Sequence, residues 1–289
     1  MIRLCKRDDS AALSAFCGNS LLGCYVLSRF GCYGNDYDFC RCYVDAADGF
    51  VKTALCVLDG AAVLLTGGAT DFEELALCLP VLGVKTLMCN LHAAANLPFP
   101  AVQQKTAFCL QTAAEHADAD ADAPMRDVYR LIATAIPGSF SNSEDAYLRF
   151  LSDFTFRKNR GRARLRALMK NGALCACALT AAECDGAAVL SGVACREDCR
   201  GHGYGKTVVC ALAHALQQEQ KTVHVIALNN SACGFYRALG FCEQETIIWM
   251  DVKLKEYYVS IQQRPARPFR PRSQTGAGHV SENRRRDRV

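Results

Sequence analysis

The sequence lacks any uninterrupted apolar run of about eighteen residues, the length that a membrane-spanning helix needs. It also lacks an apolar signal core in its opening residues, MIRLCKRDDS, and none of its 18 cysteines forms a Cys-x-x-Cys pair. These absences argue against a membrane span and against a disulfide-stapled secreted domain. We therefore expect a cytoplasmic protein, with no membrane partner, whose cysteines are reduced.

No metal is expected from the sequence. The nearest metal-like spacing joins Cys195, Cys199 and His202, but a structural zinc ion takes four ligands and no second ligand pair accompanies these residues. Cysteine elsewhere stands at apolar positions, as in the run from Leu174 to Ala178, where it is typical of a small hydrophobic residue. Because cysteine is spread over the whole chain, Cys195 and Cys199 are also poor candidates for covalent nucleophiles.

Positive charge is concentrated near the end of the sequence. The formal net charge is +4, yet residues 264–289 hold eight arginines against Glu282 and Asp287, so the remaining chain is slightly acidic. Nucleic-acid-binding faces need clustered positive charge, so nucleic-acid binding is expected, if at all, only through this segment. Its Arg-rich and Pro-rich composition predicts a disordered tail at 261–289, with RNA, acidic protein or anionic lipid as alternative ligands.

At 289 residues the chain exceeds one ordinary domain. The segment HADADADAP is polar, alternating and closed by Pro124, which predicts a linker at 116–126. We expect an N-terminal α/β domain over 1–115 and a second domain over 127–260. The sequence carries no signal for an oligomeric state.

Four apolar stretches predict strands in the N-terminal part, at 39–44, 53–58, 61–66 and 84–88. Asp59-Gly60 predicts a hairpin between the second and third stretches, because this dipeptide accepts the positive φ of a tight turn. An acidic start at Asp71, followed by apolar residues at helical spacing, predicts a helix. No catalytic motif occurs in this part.

The second part predicts an α/β (α+β) fold with a mixed central sheet flanked by helices. After a helix through Tyr147, its expected order is β-β-β-loop-α-β-α-β, in which a crossover helix joins two central strands. Asn171-Gly172 and Asp185-Gly186 mark the turns between the first three strands. The expected elements are strands at 163–169, 173–180 and 187–194, a helix at 205–218, a strand at 222–228, a helix at 231–239, and a strand pair ending near residue 251.

The sharpest motif is the loop RGHGYGK, from Arg200 to Lys206, between a predicted strand and a predicted helix. Glycines allow tight turns that point successive N–H groups outward, and a helix N-terminus adds positive partial charge. Together these features favour a phosphate or pyrophosphate site, although a plain turn would also explain the loop.

Two nucleotide-binding motifs do not fit this loop. A Walker loop needs a glycine five positions before Gly205, where Arg200 stands. A dinucleotide fingerprint needs a glycine at position 206, where Lys206 stands, and an acidic residue on the next strand, which has none.

The loop resembles the CoA-binding signature of the GCN5-related N-acetyltransferase (GNAT) superfamily, Arg/Gln-x-x-Gly-x-Gly/Ala, through Arg200, Gly203 and Gly205. The stretch from Asn229 to Phe241, NNSACGFYRALGF, resembles the second signature of the same superfamily, Asn-x-x-Ala-x-x-x-Tyr-x-x-x-Gly-Phe. The order, separation and predicted elements of the two motifs agree with the superfamily.

The resemblance implies transfer of the acetyl group from acetyl-CoA to a primary amine of a small molecule or peptide, without a covalent enzyme intermediate. Tyr236 matches the general acid that protonates the departing thiolate. The residues expected to contact CoA are Val193, Ala194, Cys195, Arg200, Gly201, His202, Gly203, Tyr204, Gly205, Lys206 and Asn229. In this reading the strand that ends at Cys195 splays from its neighbour and binds the pantetheine arm.

Structural roles remain open for the same residues. Tyr236 would also suit a helix core, Asn229 a helix cap, and Arg200 a solvated surface, while His202 is expected to be exposed rather than catalytic. Phe235 and Phe241 are expected in the core, with Gly240 ending the helix between them.

The sequence departs from the superfamily pattern because the strand at 187–194 has no carboxylate to act as general base. The nearest acidic residues are Glu183, Asp185, Glu197 and Asp198. A water chain or a group from the first half are the alternatives. The missing carboxylate also leaves open a catalytically inactive CoA-binding sensor or partner protein.

The N-terminal part echoes the order of elements in the second part, but its loop at 66–70 lacks the Arg-x-x-Gly-x-Gly pattern. We therefore interpret it as a degenerate, non-catalytic copy that shapes the acceptor pocket, with an unrelated α/β cap as the alternative.

Overall fold

The computed structural model describes residues 1–252, except 48, 137 and 142. Its strands form one mixed sheet in the order β1-β2-β3-β4-β5-β11-β6-β10-β9-β8-β7. The strands are β1 (Ile2–Leu4), β2 (Cys40–Ala47), β3 (Phe50–Leu58), β4 (Ala61–Thr66), β5 (Thr86–Asn90), β6 (Ala101–Leu110), β7 (Leu165–Lys170), β8 (Ala173–Glu183), β9 (Ala187–Cys195), β10 (Thr222–Ile226) and β11 (Phe241–Asp251). The predicted tail at 261–289 lies outside the described residues.

Helices cover this sheet, and side-chain oxygens cap several of their first turns. Asp71, Ser143 and Asn229 accept backbone N–H bonds at 2.9, 3.2 and 2.9 Å, which satisfies amides that a helix start leaves unpaired. The helices are α1 (Ser10–Cys17), α2 (Leu21–Tyr33), α3 (Phe72–Val81), α4 (Leu91–Asn96), α5 (Met125–Ala135), α6 (Glu144–Lys158), α7 (Tyr204–Gln217) and α8 (Asn230–Ala238).

The two halves of the chain repeat the same succession of elements. In the first half, β2, β3 and β4 are antiparallel neighbours, and α3 crosses over to place β5 parallel to β4. In the second half, β7, β8 and β9 are antiparallel neighbours, and α7 places β10 parallel to β9. This repetition supports the interpretation of the first half as a copy of the second.

The halves exchange their last strands. Strand β11, from the second half, pairs antiparallel with β5 and β6, and β6, from the first half, pairs antiparallel with β10. The predicted strand pair ending near residue 251 is therefore wrong: β11 is one strand, and its partners come from the first half. The division into two domains stays a prediction. In the structure the two halves share a single sheet.

Local signals identified most elements correctly. Asp59-Gly60 and Asn171-Gly172 form tight hairpin turns in which both residues have positive φ, as the dipeptides predict. Fourteen of the eighteen cysteines are buried and all are free thiols, in agreement with their expected role as small apolar side chains. None of the helices in the described part of the chain is both long and apolar enough to cross a membrane.

Candidate active site

Strands β9 and β10 begin as parallel neighbours and then separate. Their ladder runs from Ala187 opposite Thr222 to Leu190 opposite Val225 and goes no further, although β9 continues to Cys195. Residues 191–195 thus form a strand edge that β10 does not cover. This is the splay expected of a strand that receives the pantetheine arm.

A bulge in β9 marks the point of separation. The register with β8 shifts between the pairs Cys177–Ala194 and Leu179–Ser191, and Gly192 between them has a φ of +56°. A Cβ atom on Gly192 would lie 2.9 Å from the terminal methyl groups of both Ile132 and Leu179, so a larger residue would push these side chains aside and would be strained at this φ. The sequence therefore places glycine where the strand bends away from its neighbour.

The loop that follows β9 presents a row of unpaired amides. Gly201 and Gly203 have φ values of +80° and +79°, and Gly203 starts α7 without a side-chain cap. Within the described residues, no acceptor is found for the backbone N–H groups of residues 201–206, and Thr207 donates the first bond of the helix, to Gly203. Open amides at a helix N-terminus are the arrangement with which proteins commonly bind anions.

The side chains around the loop leave this amide row open to solvent. Arg200 is exposed, and His202 is exposed with its Nδ1 2.9 Å from the Arg200 carbonyl oxygen. Lys206 forms an exposed ion pair with Glu115, with 2.8 Å between Nζ and Oε2. Tyr204 stacks on the ring of His202 at 5.6 Å. The loop thus has two cationic side chains: Arg200, without an ion-pair partner among the described residues, and Lys206, which is paired with Glu115.

Asn229 and Tyr236 lie at opposite ends of α8. The amide oxygen of Asn229 accepts from Ala232 N at 2.9 Å, so its capping role is present, while its amide nitrogen has no partner among the described residues. Tyr236 is buried between Phe235 and Phe241, at ring distances of 5.2 and 5.6 Å. Both structural alternatives raised for these residues are therefore seen in the structure.

The burial of Tyr236 is compatible with a chemical role because its side chain also lines a cavity. No hydrogen-bond partner for its hydroxyl exists within the described chain. Burial raises the pKa of Tyr236. The phenol is therefore a protonated donor, facing the cavity, over the neutral pH range.

The cavity has a volume of about 410 Å³ and opens where β9 and β10 separate. Ser191, Gly192 and Val193 form its β9 wall, and α5 and α6 cover it with apolar and aromatic side chains. The lining helix residues include Ile132, Phe150 and Phe154. This size and composition are typical of a small-molecule pocket.

Two residues from the first half complete the lining, Tyr25 on α2 and Lys105 on β6. Lys105 Nζ lies 5.2 Å from the centre of the Trp249 ring, which also lines the cavity. Burial lowers the pKa of Lys105 and raises that of Tyr25 to about 12. The expectation that the first half shapes the pocket agrees with this arrangement.

Asp153 is the one carboxylate among the described residues that line the cavity. Arg157 donates to its Oδ2 at 2.9 Å, and the Tyr33 hydroxyl donates to its Oδ1. Arg157 also reaches the carbonyl oxygens of Thr180 and Ala181, at 3.4 and 3.3 Å. The carboxylate is therefore held in a fixed position at the cavity wall.

The four acidic residues that the sequence offered as bases do not line the cavity. Glu183 is fully buried and bonded to Lys221 at 2.6 Å and to Arg164 at 2.7 Å, which is the pairing that a buried charge requires. Asp185 is paired with Arg162, Asp198 is paired with Arg196, and Glu197 is exposed.

Sequence reasoning missed Asp153, Lys105, Tyr25 and Trp249, and no motif marks any of them. Asp153 lies on a helix that was predicted, but nothing in its neighbourhood distinguishes it from solvated acidic residues. Lys105 lies on β6, which was not predicted because the polar run QQKT at 103–106 interrupts its apolar residues.

Comparison with protein families identifies residues 169–250 as a match to the FR47-like protein family, which is related to GNAT proteins. This segment contains both signatures, from Arg200 to Phe241. Comparison with curated protein sequences gives no match.

Solved structures with similar folds cover most of the chain. An acetyltransferase of the GNAT family from Colwellia psychrerythraea is 16% identical, with a TM-score of 0.53, over 88% of this chain and 100% of that one. A tandem GNAT protein from the clavulanic acid biosynthesis pathway, without AcCoA, is 14% identical, with a TM-score of 0.55, over 88% and 98%. A GCN5-related N-acetyltransferase from Sphaerobacter thermophilus is 14% identical, with a TM-score of 0.55, over 88% and 96%.

The resemblance of the second half to the GNAT superfamily is confirmed by these findings, as is the predicted fold class. The chain has the GNAT acetyltransferase fold, in an arrangement similar to that of a tandem GNAT protein.

Proposed function

We propose that the chain is an N-acetyltransferase that transfers the acetyl group of acetyl-CoA directly to a primary amine of a small molecule or peptide. The observation that carries this proposal is the junction of three features at one place: the uncovered edge of β9, the open amide row at 201–206, and a cavity lined by Tyr236. No one of these features would be sufficient alone.

The donor would bind along the second half. The amides of residues 201–206 receive the CoA diphosphate, with Arg200 and Lys206 adding positive charge. The β9 edge at 193–195 bonds the pantetheine arm as an added strand would. Asn229, with its side-chain nitrogen unpaired among the described residues, contacts the same arm from the start of α8. This geometry directs the thioester toward the cavity.

The acceptor would enter the cavity opposite the thioester. Its neutral amine nitrogen attacks the carbonyl carbon, the carbon–sulfur bond breaks, and the sulfur takes the proton of the Tyr236 hydroxyl. The proton that the nitrogen loses as the amide forms restores this hydroxyl. The aromatic wall formed by Phe140, Phe150 and Phe154 suits an amine with an apolar body.

Asp153 is our candidate for the group that binds the acceptor ammonium and takes its proton. It replaces the carboxylate that the sequence of β9 does not supply. Arg157 and Tyr33 hold it in place, so its position does not depend on the acceptor.

The proposal is tested with the full chain, acetyl-CoA and a panel of amines of different size and polarity, by monitoring the release of free CoA. We expect turnover with at least one acceptor and strong loss of turnover in Tyr236→Phe, with acetyl-CoA affinity unchanged. Binding of acetyl-CoA without turnover on any amine would indicate a CoA-binding partner protein instead. Absence of binding would contradict both functions.

A further inference from the structure

Three cysteines converge in the first half, far along the sequence from the loop at 201–206. Cys40 and Cys42 are two residues apart on β2 and therefore point to the same face of the sheet. Cys56 lies directly opposite Cys42 on β3, in the antiparallel register of the two strands. Two neighbouring strands thus bring three thiols to one point.

The sulfur atoms lie close enough to share one ion. All three Sγ atoms are within 4.8 Å of one another, and Cys42 Sγ and Cys56 Sγ are 2.8 Å apart. With metal–sulfur bonds of about 2.3 Å, three sulfurs around one ion lie about 4 Å apart, so the cluster needs shifts of about 1 Å. No other group of three possible ligands is found in the described part of the chain.

The cluster is enclosed. Cys40, Cys42 and Cys56 are 0%, 1% and 0% exposed, within the apolar core under α1 and α2. The guanidinium of Arg29, on α2, lies nearby and donates to the carbonyl oxygen of Cys56 at 3.2 Å. Among the described residues, no histidine or carboxylate joins the three sulfurs as a ligand.

We propose that Cys40, Cys42 and Cys56 bind a single Cu(I) ion. Soft thiolates select Cu(I) or Zn(II) among the common metals, and structural zinc takes four ligands where this cluster supplies three. Cu(I) is stable with two or three thiolates and needs no water or oxygen ligand. Binding through two thiolates and one thiol would release two protons and leave one negative charge, which Arg29 faces.

The ion would enter while the chain folds, because the folded cluster is closed to solvent. Metal affinity then adds to the folding free energy, as in other sites that form only in the folded state. The role would be structural, since the cluster does not line the cavity.

The test uses the full chain, refolded without oxygen in the presence of Cu(I) and then challenged with a Cu(I) chelator. We expect one copper per chain, and X-ray absorption showing sulfur ligands only. Cys40→Ala/Cys42→Ala should weaken Cu(I) retention by more than about 100-fold, beyond what outer partners of a metal site contribute. Cys175→Ala/Cys177→Ala is the matched control, with the same spacing on β8, and should retain copper.

Each outcome decides for or against the site. Equal copper content in both double variants, nitrogen or oxygen ligands in the absorption spectrum, or no copper retained by the wild type would overturn the proposal. A Cys42–Cys56 disulfide in mass spectra, formed without metal retention, would also overturn it. If the Cys40/Cys42 variant fails to fold, the absorption spectrum of the wild type still decides, and the result is independent of acyl transfer.

Discussion

The two halves of the molecule share one topology but differ at the loop between the third strand and the crossover helix. In the first half, Asp71 caps α3 and Glu73 and Glu74 occupy its first turn. In the second half, the N-cap of α7 is Gly203, which provides no side-chain cap, and the first turn has no acidic residue. Both loops precede a helix N-terminus, yet the first carries negative charge and the second carries open amides.

Two backbone amides of the first loop are already bonded within the protein. Gly67 N donates to the Lys52 carbonyl oxygen at 2.8 Å, and Thr70 N donates to Gly67 at 3.2 Å. An incoming diphosphate would find the amides of Gly67 and Thr70 occupied and would face the carboxylates of Asp71, Glu73 and Glu74. The fold thus provides a loop before a helix N-terminus twice, while the residues of the second loop alone favour an anionic ligand.

The largest effect is expected from Gly203→Val. A β-branched residue at a φ of +79° costs about 1–3 kcal/mol, and displaced amides lose hydrogen bonds to a charged phosphate worth about 1.5–3 kcal/mol each. Affinity for acetyl-CoA should fall by about 100-fold or more, measured by calorimetry. Gly68→Val is the corresponding change in the first half. Gly68 has no positive φ and no atom within 4 Å of an added Cβ, so this variant should bind normally. Equal losses of acetyl-CoA affinity in the two variants would contradict the claim that only the second loop binds the ligand.

Tyr236→Phe should lower kcat by about 100-fold or more, the range for loss of a positioned proton donor. The dissociation constant of acetyl-CoA should not change, since the ring and its contacts with Phe235 and Phe241 stay in place. Tyr43→Phe, on β2 of the first half, removes a phenol without approaching the cavity and serves as the control. Normal turnover in Tyr236→Phe would leave only the packing role for this residue.

These two variants probe what the sequence predicted well. Both signatures are local patterns. A strand, a glycine-rich turn and a helix that follow one another in the chain determine the geometry of the loop between them. Local dipeptide signals also predicted the turns at Asp59-Gly60 and Asn171-Gly172.

The remainder of the site depends on contacts between distant segments. The exchange of β6 and β11 brings together Lys105 and Trp249, which are separated by about half the chain. The residue pattern of neither strand indicates which strand it will pair with. Asp153 reaches the cavity only because α6 packs on α5 and is bonded to β8 through Arg157. No periodicity predicts such convergence, so the sequence pattern does not indicate that Asp153 lines the cavity.

Asp153→Asn should lower kcat/KM by about tenfold, at the lower end for proton transfer because water can partly replace the carboxylate. The loss should be largest at acidic pH, where the acceptor amine is protonated, and should shrink as pH rises and the free amine becomes available. A full pH profile of kcat/KM for both proteins tests this. Asp145→Asn, exposed on the same helix, is the control, and a pH-independent loss would assign Asp153 to positioning alone.

The smallest effects concern the ion pair beside the loop. Lys206→Ala should weaken acetyl-CoA binding by up to about fivefold, because an exposed charge contributes about 1 kcal/mol or less. Glu115→Ala should act in the opposite direction, since it releases Lys206 for the phosphate. Calorimetry at low and high salt measures the acetyl-CoA affinity of both variants. Added salt should reduce the difference in affinity between each variant and the wild type. A change of affinity in the same direction in both variants would show that the ion pair affects binding by stabilising the fold.

The most direct test of the account is a calorimetric titration of the full chain with CoA. The open amides of the second half and the acidic, partly bonded loop of the first predict one binding site per chain, which Gly203→Val removes. A stoichiometry of two, or no heat at high protein concentration, would contradict it.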